Sequence, residues 1–116
     1  MKSGTKGVAT SNYGRNLMKE MMLVYDGNQH RYAQIAGHGF RILAEAMEKD
    51  LPYEIKSPSL LICGTKDHAG SCIRYNREWH RKTKIPLKWI EGAGHNSNTD
   101  KPEMINSLIE EFLSNI

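Results

Sequence analysis

Two short apolar runs, each followed by a loop and a helical pattern, constrain the fold of this 116-residue chain more than any other feature. The runs lie at 59–63 (SLLIC) and 86–90 (PLKWI). The first run is continuous, and such a run is typical of a strand buried on both faces of a parallel sheet; the second run is predicted to be another strand. Helical patterns follow at about 71–82 and from about residue 100 onward. This alternation predicts an α/β fold in which two parallel strands are linked by a helix.

The two helices of this region have predicted starts and buried faces. Ser71 is the predicted N-cap of the first helix, and Asp100 is that of the second, with Glu103 completing a capping box. The residues expected to face the core are Ile73, Tyr75, Trp79, Trp89, Ile105, Leu108, Ile109, Phe112 and Leu113. A chain of this length buries a limited share of its surface, so we expect one small core.

The first part of the chain is predicted to be helical. Apolar residues recur at helical spacing from Leu17 to Tyr25, and Asp26-Gly27-Asn28 ends that helix. A second amphipathic helix is predicted from about 31 to 49. Gly37 and Gly39 weaken that pattern, because each glycine costs about 1 kcal/mol relative to alanine.

A connector divides the two regions. Pro52 and Pro58 interrupt the stretch between the second helix and the first strand. We therefore expect a helical region at 1–52 and an α/β region at 53–116.

Composition excludes several classes of protein. Hydrophobic residues make up 39% and charged residues 25% of the chain, which is ordinary for a globular protein rather than a disordered one. The net charge of +3 is mild, and no block of like charges or aromatic-basic stripe indicates a nucleic-acid partner. No segment is apolar enough to cross a bilayer or to act as a signal peptide, so neither a membrane nor secretion is expected.

The cysteines and histidines carry no metal-binding motif. Cys63 and Cys72 form no C-x-x-C pair, and Cys63 is predicted to be a buried small hydrophobe. We therefore expect a reduced, cytoplasmic setting, no metal and no cofactor. His30, His38 and His80 are predicted to be surface or packed residues, since no second ligand lies at metal-site spacing. His68 is predicted to point to solvent or into a cleft.

Asp67 and His95 are the candidate catalytic residues. Each lies in the loop that follows one of the predicted strands, Asp67 after the first and His95 after the second. Because the carboxyl ends of neighbouring parallel strands open on the same edge of a sheet, we expect the two side chains to meet. A carboxylate that accepts a hydrogen bond from an imidazole fixes its tautomer and leaves the other nitrogen as a base. The alternative for Asp67 is a capping role in its turn, and that for His95 is an ordinary loop histidine.

The motifs around these residues resemble the C-terminal end of the α/β-hydrolase fold. The segment PSLLICGTKD carries a G-x-x-D turn at 64–67, and PLKWIEGAGHNSN carries a G-x-G-H loop at 92–95. The closing helix, DKPEMINSLIEEFL, also matches. The resemblance implies that Asp67 is the acid and His95 the base of a catalytic triad, that residues 1–52 are similar to a helical cap, and that the parent enzyme hydrolyses small acyl substrates.

The nucleophile motif of that family, G-x-S-x-G, does not occur in this sequence. Ser71 and Ser97 lie near the candidate pair but lack the strand-to-helix elbow of a nucleophile. We therefore expect a C-terminal fragment of a serine hydrolase that is inactive by itself. Its partner would be a missing N-terminal half or a second copy of the chain.

Two other interpretations remain open at this point. A sheet reduced to two strands exposes edges, so the chain is alternatively a non-catalytic module that self-associates or binds a partner. A small, complete α/β binding domain unrelated to hydrolases is the third interpretation, and it requires Asp67 and His95 to lie far apart.

Overall fold

The computed structural model describes residues 8–49 and 54–116, and it is a mixed α/β structure. The helices are α1 (Asn12–Asp26), α2 (Gln29–Glu48), α3 (Cys72–Thr83), α4 (Ser97–Asp100) and α5 (Pro102–Ser114). The strands are β1 (Leu61–Gly64) and β2 (Leu87–Ile90). The predicted boundary at 52/53 lies outside the described residues. Among the described helices, none combines the length and the apolar character that a membrane span requires.

The two strands pair in parallel, as predicted. Leu61 lies opposite Leu87, and Gly64 lies opposite Ile90. Helix α3 connects the end of β1 to the start of β2 and contacts both strands. The carboxyl ends of β1 and β2 therefore lie side by side, and the loops that follow them share one edge of the sheet.

The core is small and lies beneath β2. Ile90 and Ala93 are fully buried, and Ile105 of α5 packs against them at 6% exposure, with Ile62 and Leu108 partly buried around them. The stripe of α5 is thus buried only in part, because Ile109 and Leu113 are 43% and 59% exposed.

The prediction that β1 is buried on both faces holds for Cys63 and Gly64 but not for the start of the strand. Leu61 and Ile62 are only half-buried, and Trp89 is 37% exposed. The guanidinium of Arg77 lies 5.3 Å from the centre of the Trp89 ring. In the described residues the sheet has two strands, so each strand has one unpaired edge.

Helix α3 begins after Ser71, as predicted, but the Ser71 side chain makes no capping hydrogen bond. The helix ends at Thr83, and its C-cap residue Lys84 has a φ of 63°, in the left-handed region. Ile73 and Trp79 are half-buried, whereas Tyr75 is 61% exposed, so the expectation that Tyr75 faces the core is wrong.

Helix α2 begins and ends close to the predicted residues, and α1 ends where predicted, at Asp26, but begins at Asn12, five residues before the apolar pattern at Leu17. The Ser11 hydroxyl accepts a hydrogen bond from the backbone N–H of Gly14 at 2.9 Å, which caps α1. The Asn28 side chain accepts one from Arg31 N–H at 3.3 Å and caps α2. Helix α2 runs through both of its glycines and has no buried residue. Its apolar stripe therefore faces solvent instead of the core.

Candidate functional site

The turn after β1 fixes the position of Asp67. Backbone hydrogen bonds tie this turn to the neighbouring loop: Thr65 N–H donates to Ile90 O at 3.0 Å, and Lys66 N–H donates to Ala93 O at 2.9 Å. A Cβ atom at Gly64 would collide with the carbonyl oxygens of Ala93 and Gly94. Glycine at position 64 therefore allows the two loops to approach closely.

The loop after β2 carries His95 to the same edge of the sheet. Gly92 has a φ of 74°, which favours glycine, and its N–H donates to the Thr65 hydroxyl at 2.8 Å. Ala93 N–H donates to Ile90 O at 3.3 Å and closes the turn. His95 then follows the two buried residues Ala93 and Gly94 and emerges beside Asp67.

Asp67 and His95 are in hydrogen-bond contact, as the sheet topology predicted. The distance from His95 Nδ1 to Asp67 Oδ2 is 3.0 Å. The Asp67 side chain is 5% exposed, and its other oxygen accepts a hydrogen bond from Ala69 N–H at 2.9 Å. The His95 side chain is 47% exposed. With the proton on Nδ1, the imidazole donates to a buried, fixed carboxylate while Nε2 is left as a proton acceptor.

The carboxylate of Asp100 anchors the His95 loop. It accepts hydrogen bonds from Gly94 N–H at 2.9 Å, from Ser11 N–H at 2.8 Å and from Thr10 N–H at 2.9 Å, and the Thr10 hydroxyl donates to it at 3.1 Å. Burial is the largest single effect and tends to raise the pKa of Asp100. The hydrogen bonds from Ser11, Thr10 and Gly94 together outweigh it and lower the pKa to about 2.

The prediction that Asp100 caps the last helix is wrong. Asp100 is the final residue of the short helix α4, and α5 begins at Pro102 with Lys101 at its N-cap position. The backbone donors of Thr10, Ser11 and Gly94 occupy the carboxylate instead. No local pattern indicates this role, because two of its partners lie 89 and 90 positions away in sequence.

Residues 8–11 form a strap against the His95 loop. Asn96 N–H donates to Val8 O at 2.7 Å, and the Thr10 hydroxyl donates to Gly92 O at 2.8 Å. Ala9 is fully buried. The strap and the Asp100 carboxylate thus hold the backbone on both sides of His95.

A thiol also belongs to this site. Cys72, the first residue of α3, has a potential ligand atom within 4.8 Å of those of Asp67 and His95. Burial, followed by the negative charge of Asp67, raises the pKa of the Cys72 thiol. The sequence analysis did not predict this group. Its members come from two loops and a helix start, whereas metal-site motifs rely on characteristic spacings of ligands that are close in sequence.

The remaining candidate residues are not part of the Asp67–His95 pair. Cys63 is buried, as predicted, and its Sγ lies 4.0 Å from Asp67 Oδ2. His68 is exposed, and a ring nitrogen of His80 lies 2.7 Å from Ile85 O. His30 and His38 lie on α2, and both are exposed.

Sequence comparison adds one relative. Over 75 residues the chain is 31% identical to Epoxide hydrolase 1 of Caenorhabditis elegans. The match takes in 65% of this chain and 19% of that protein, so it spans about a fifth of the length of the curated relative. No family model matches the chain, and no solved structure matches it significantly. The chain therefore has a distant, partial similarity to a hydrolase.

Proposed function

We propose that this chain is the acid–histidine part of an α/β-hydrolase active site. The observation that carries the proposal is the 3.0 Å contact between His95 Nδ1 and Asp67 Oδ2, made from loops that follow two neighbouring parallel strands. The order of acid before histidine along the chain agrees with that fold, and the partial similarity to an epoxide hydrolase supports it. In this proposal α1 and α2 belong to a cap-like region, and the segment from β1 to α5 is the end of the catalytic core.

The proposed roles follow from the contact. Asp67 is buried, so its carboxylate orients the imidazole and stabilises the imidazolium that forms when His95 accepts a proton. Nε2 of His95 takes a proton from the nucleophile or from the hydrolytic water, and later returns a proton to the leaving group. The same base chemistry serves hydrolysis of an acyl group and addition of water to an epoxide, which are the two substrate classes proposed here.

The nucleophile is proposed to come from another segment of polypeptide. The sequence contains no G-x-S-x-G motif, and Ser71 stands at a helix start rather than at a strand-to-helix elbow. In this proposal the Asp67–His95 pair assists a reaction only when another segment supplies the nucleophile and the oxyanion hole. We therefore expect background turnover from the chain alone.

The test compares the chain alone with the chain co-expressed with a polypeptide that carries the nucleophile-bearing N-terminal half of an α/β-hydrolase core. Hydrolysis of an activated ester and of an aryl epoxide is measured for both preparations. The chain alone should give background rates that do not change in His95→Ala. The co-expressed complex should turn over one of the two substrates, and His95→Gln should lower kcat by about a thousandfold or more.

His68→Gln is the matched control, because His68 is an exposed histidine next to Asp67. Turnover should survive this change. Robust activity of the chain alone that is lost in His95→Ala would disprove the expected inactivity. Activity of the complex that tolerates His95→Gln would disprove the proposed base.

A second candidate function, an interaction module, is favoured by the exposed apolar side chains. On α2, Phe40, Leu43 and Met47 are 72%, 55% and 72% exposed and recur at helical spacing. Both strands of the sheet also have an unpaired edge in the described part of the chain. Surfaces of this kind are typical of protein–protein contacts, so we propose self-association or a partner chain as the alternative role.

A further inference from the structure

We propose that Asp67, Cys72 and His95 form a binding site for one zinc-type divalent cation. Carboxylate, thiolate and imidazole are the three ligand types that zinc takes from proteins, and here one atom of each lies within 4.8 Å of the other two. Such a site would bind metal whether or not the Asp67–His95 pair ever assists a hydrolytic reaction.

The protein backbone holds two of the three ligands in one rigid segment. Ala69 N–H donates to Asp67 Oδ1 at 2.9 Å, and Cys72 N–H donates to Ala69 O at 3.3 Å. These two hydrogen bonds link the carboxylate to the first turn of α3, which carries the thiol. The loop therefore sets the separation between the Asp67 carboxylate and the backbone of Cys72.

His95 completes the site from the neighbouring loop. That loop is fixed to the turn of Asp67 by the hydrogen bond from Lys66 N–H to Ala93 O, and it is fixed to Asp100 through Gly94 N–H. The imidazole itself is 47% exposed and has room to turn. The sheet and Asp100 thus hold the loops that carry the three ligands.

The distances fit a small cation. Zinc bonds of about 2.0–2.3 Å in a tetrahedron require ligand atoms about 3.3–3.8 Å apart. The Nδ1–Oδ2 distance between His95 and Asp67 is now 3.0 Å, and no pair of ligand atoms in the group exceeds 4.8 Å. Side-chain movements of about an ångström are sufficient for all three to coordinate, and a water molecule can fill the fourth position from the exposed side of His95.

The charges favour a divalent cation of the zinc type. When metal binds, the Cys72 thiol loses its proton to solvent, so the site presents a thiolate, a carboxylate and a neutral imidazole. These two negative charges balance a dication. Sulfur is a poor ligand for Mg²⁺ and Ca²⁺, which prefer oxygen, so we expect selectivity for Zn²⁺ and for its spectroscopic substitute Co²⁺.

The experiment measures metal binding to the purified, reduced full chain. Titration with Co²⁺ should produce a sulfur-to-cobalt charge-transfer band that saturates at one ion per chain, and Zn²⁺ should displace it. Thermal unfolding should shift upward with added Zn²⁺ but not with Mg²⁺. Cys72→Ser and His95→Gln should each weaken Zn²⁺ binding by about tenfold or more, and Cys72→Ser should remove the charge-transfer band.

Cys63→Ala and His68→Gln are the matched controls. Each removes a thiol or an imidazole that is close to Asp67 in space or sequence but lies outside the proposed ligand set. Both variants should keep the band and the Zn²⁺ affinity. A band that persists in Cys72→Ser, or that disappears in Cys63→Ala while the variant is folded by circular dichroism, would overturn the proposal.

Alkylation of the unmodified chain provides a test that needs no variant. Iodoacetamide should label Cys72, and Zn²⁺ should slow that labelling by about tenfold or more, as read by peptide mass spectrometry. Labelling of Cys72 at the same rate with and without saturating Zn²⁺ would contradict coordination by its sulfur.

Discussion

At the scale of single residues, Asp100 contributes to the site without belonging to the Asp67–His95 pair. Its carboxylate satisfies backbone donors from the strap at 8–11 and from the His95 loop, so it joins two segments that would otherwise each leave N–H groups without partners. The nearby Gly14 is buried, and a Cβ there would come within 2.9 Å of the Asp100 carboxylate. Asp100 therefore contributes both the hydrogen-bond acceptor that joins the two segments and part of the close packing against Gly14.

Asp100→Asn should destabilise the chain by about 2–4 kcal/mol, because a neutral amide accepts weaker hydrogen bonds and turns a donor toward other donors. The measurement is the urea midpoint at neutral pH. Glu111→Gln removes the same charge from an exposed site on α5 and should change stability by less than about 0.5 kcal/mol. Equal effects of the two substitutions would contradict the role assigned to Asp100.

The acid dependence of stability follows from the pKa of Asp100. Its folded-state pKa of about 2 is below the ordinary 3.8, so the carboxylate contributes stability above its unfolded pKa and loses it as pH falls through about 2. The contribution is about 2 kcal/mol. The stability difference between the unmodified chain and Asp100→Asn should therefore shrink as pH is lowered from about 5 to about 2. A difference that is constant over this range would contradict the prediction.

At the scale of elements, Gly37, Gly39 and Gly64 show two different effects of glycine. Gly37 and Gly39 lie within α2, where an added Cβ would meet nothing within 4 Å. Gly64 ends β1, where an added Cβ would collide with the backbone of the His95 loop. Gly37 and Gly39 only weaken a helix, whereas Gly64 allows two loops to touch.

Alanine should therefore have opposite effects at these positions. Gly37→Ala and Gly39→Ala should each stabilise α2 by about 0.5–1 kcal/mol. The reason is that alanine has less conformational freedom in the unfolded chain than glycine, so it loses less entropy when the helix forms. Gly64→Ala should destabilise the chain by about 3 kcal/mol or more. Circular dichroism with thermal unfolding measures both effects. A neutral Gly64→Ala variant would disprove the close approach of the two loops.

At the scale of the whole molecule, sequence patterns predicted the strands and their pairing more accurately than they predicted which side chains are buried. Both strands, their parallel pairing and the contact between Asp67 and His95 were predicted, because each depends on local periodicity and on one rule of sheet topology. The burial of Trp89 was predicted wrongly, since periodicity reports which residues share a face but not whether another layer covers it. The role of Asp100 was missed because Thr10 and Ser11 are distant from it in sequence. Cys72 was missed because its spacing to Asp67 and His95 matches no metal-site motif.

The exposed stripe of α2 should cause the isolated chain to self-associate. Its mass by size-exclusion chromatography with light scattering should exceed that of a monomer and rise with concentration. The triple substitution Phe40→Gln, Leu43→Gln and Met47→Gln should restore the monomer, because it removes the exposed apolar area. Tyr75→Gln, at an exposed site on α3, should leave the mass unchanged. An unmodified chain that is monomeric at every concentration would contradict this prediction.

The hydrogen bond between Thr10 and Asp100 also has a consequence for biosynthesis. Ribosomes make the chain from its N-terminus, so Thr10 is translated 90 positions before the carboxylate that binds it. At about 5–20 residues per second, this delay amounts to roughly 5–18 s. During that interval the nascent strap lacks the Asp100 carboxylate, and the loop bearing His95 gains its hydrogen bond to that carboxylate only after Asp100 has been translated.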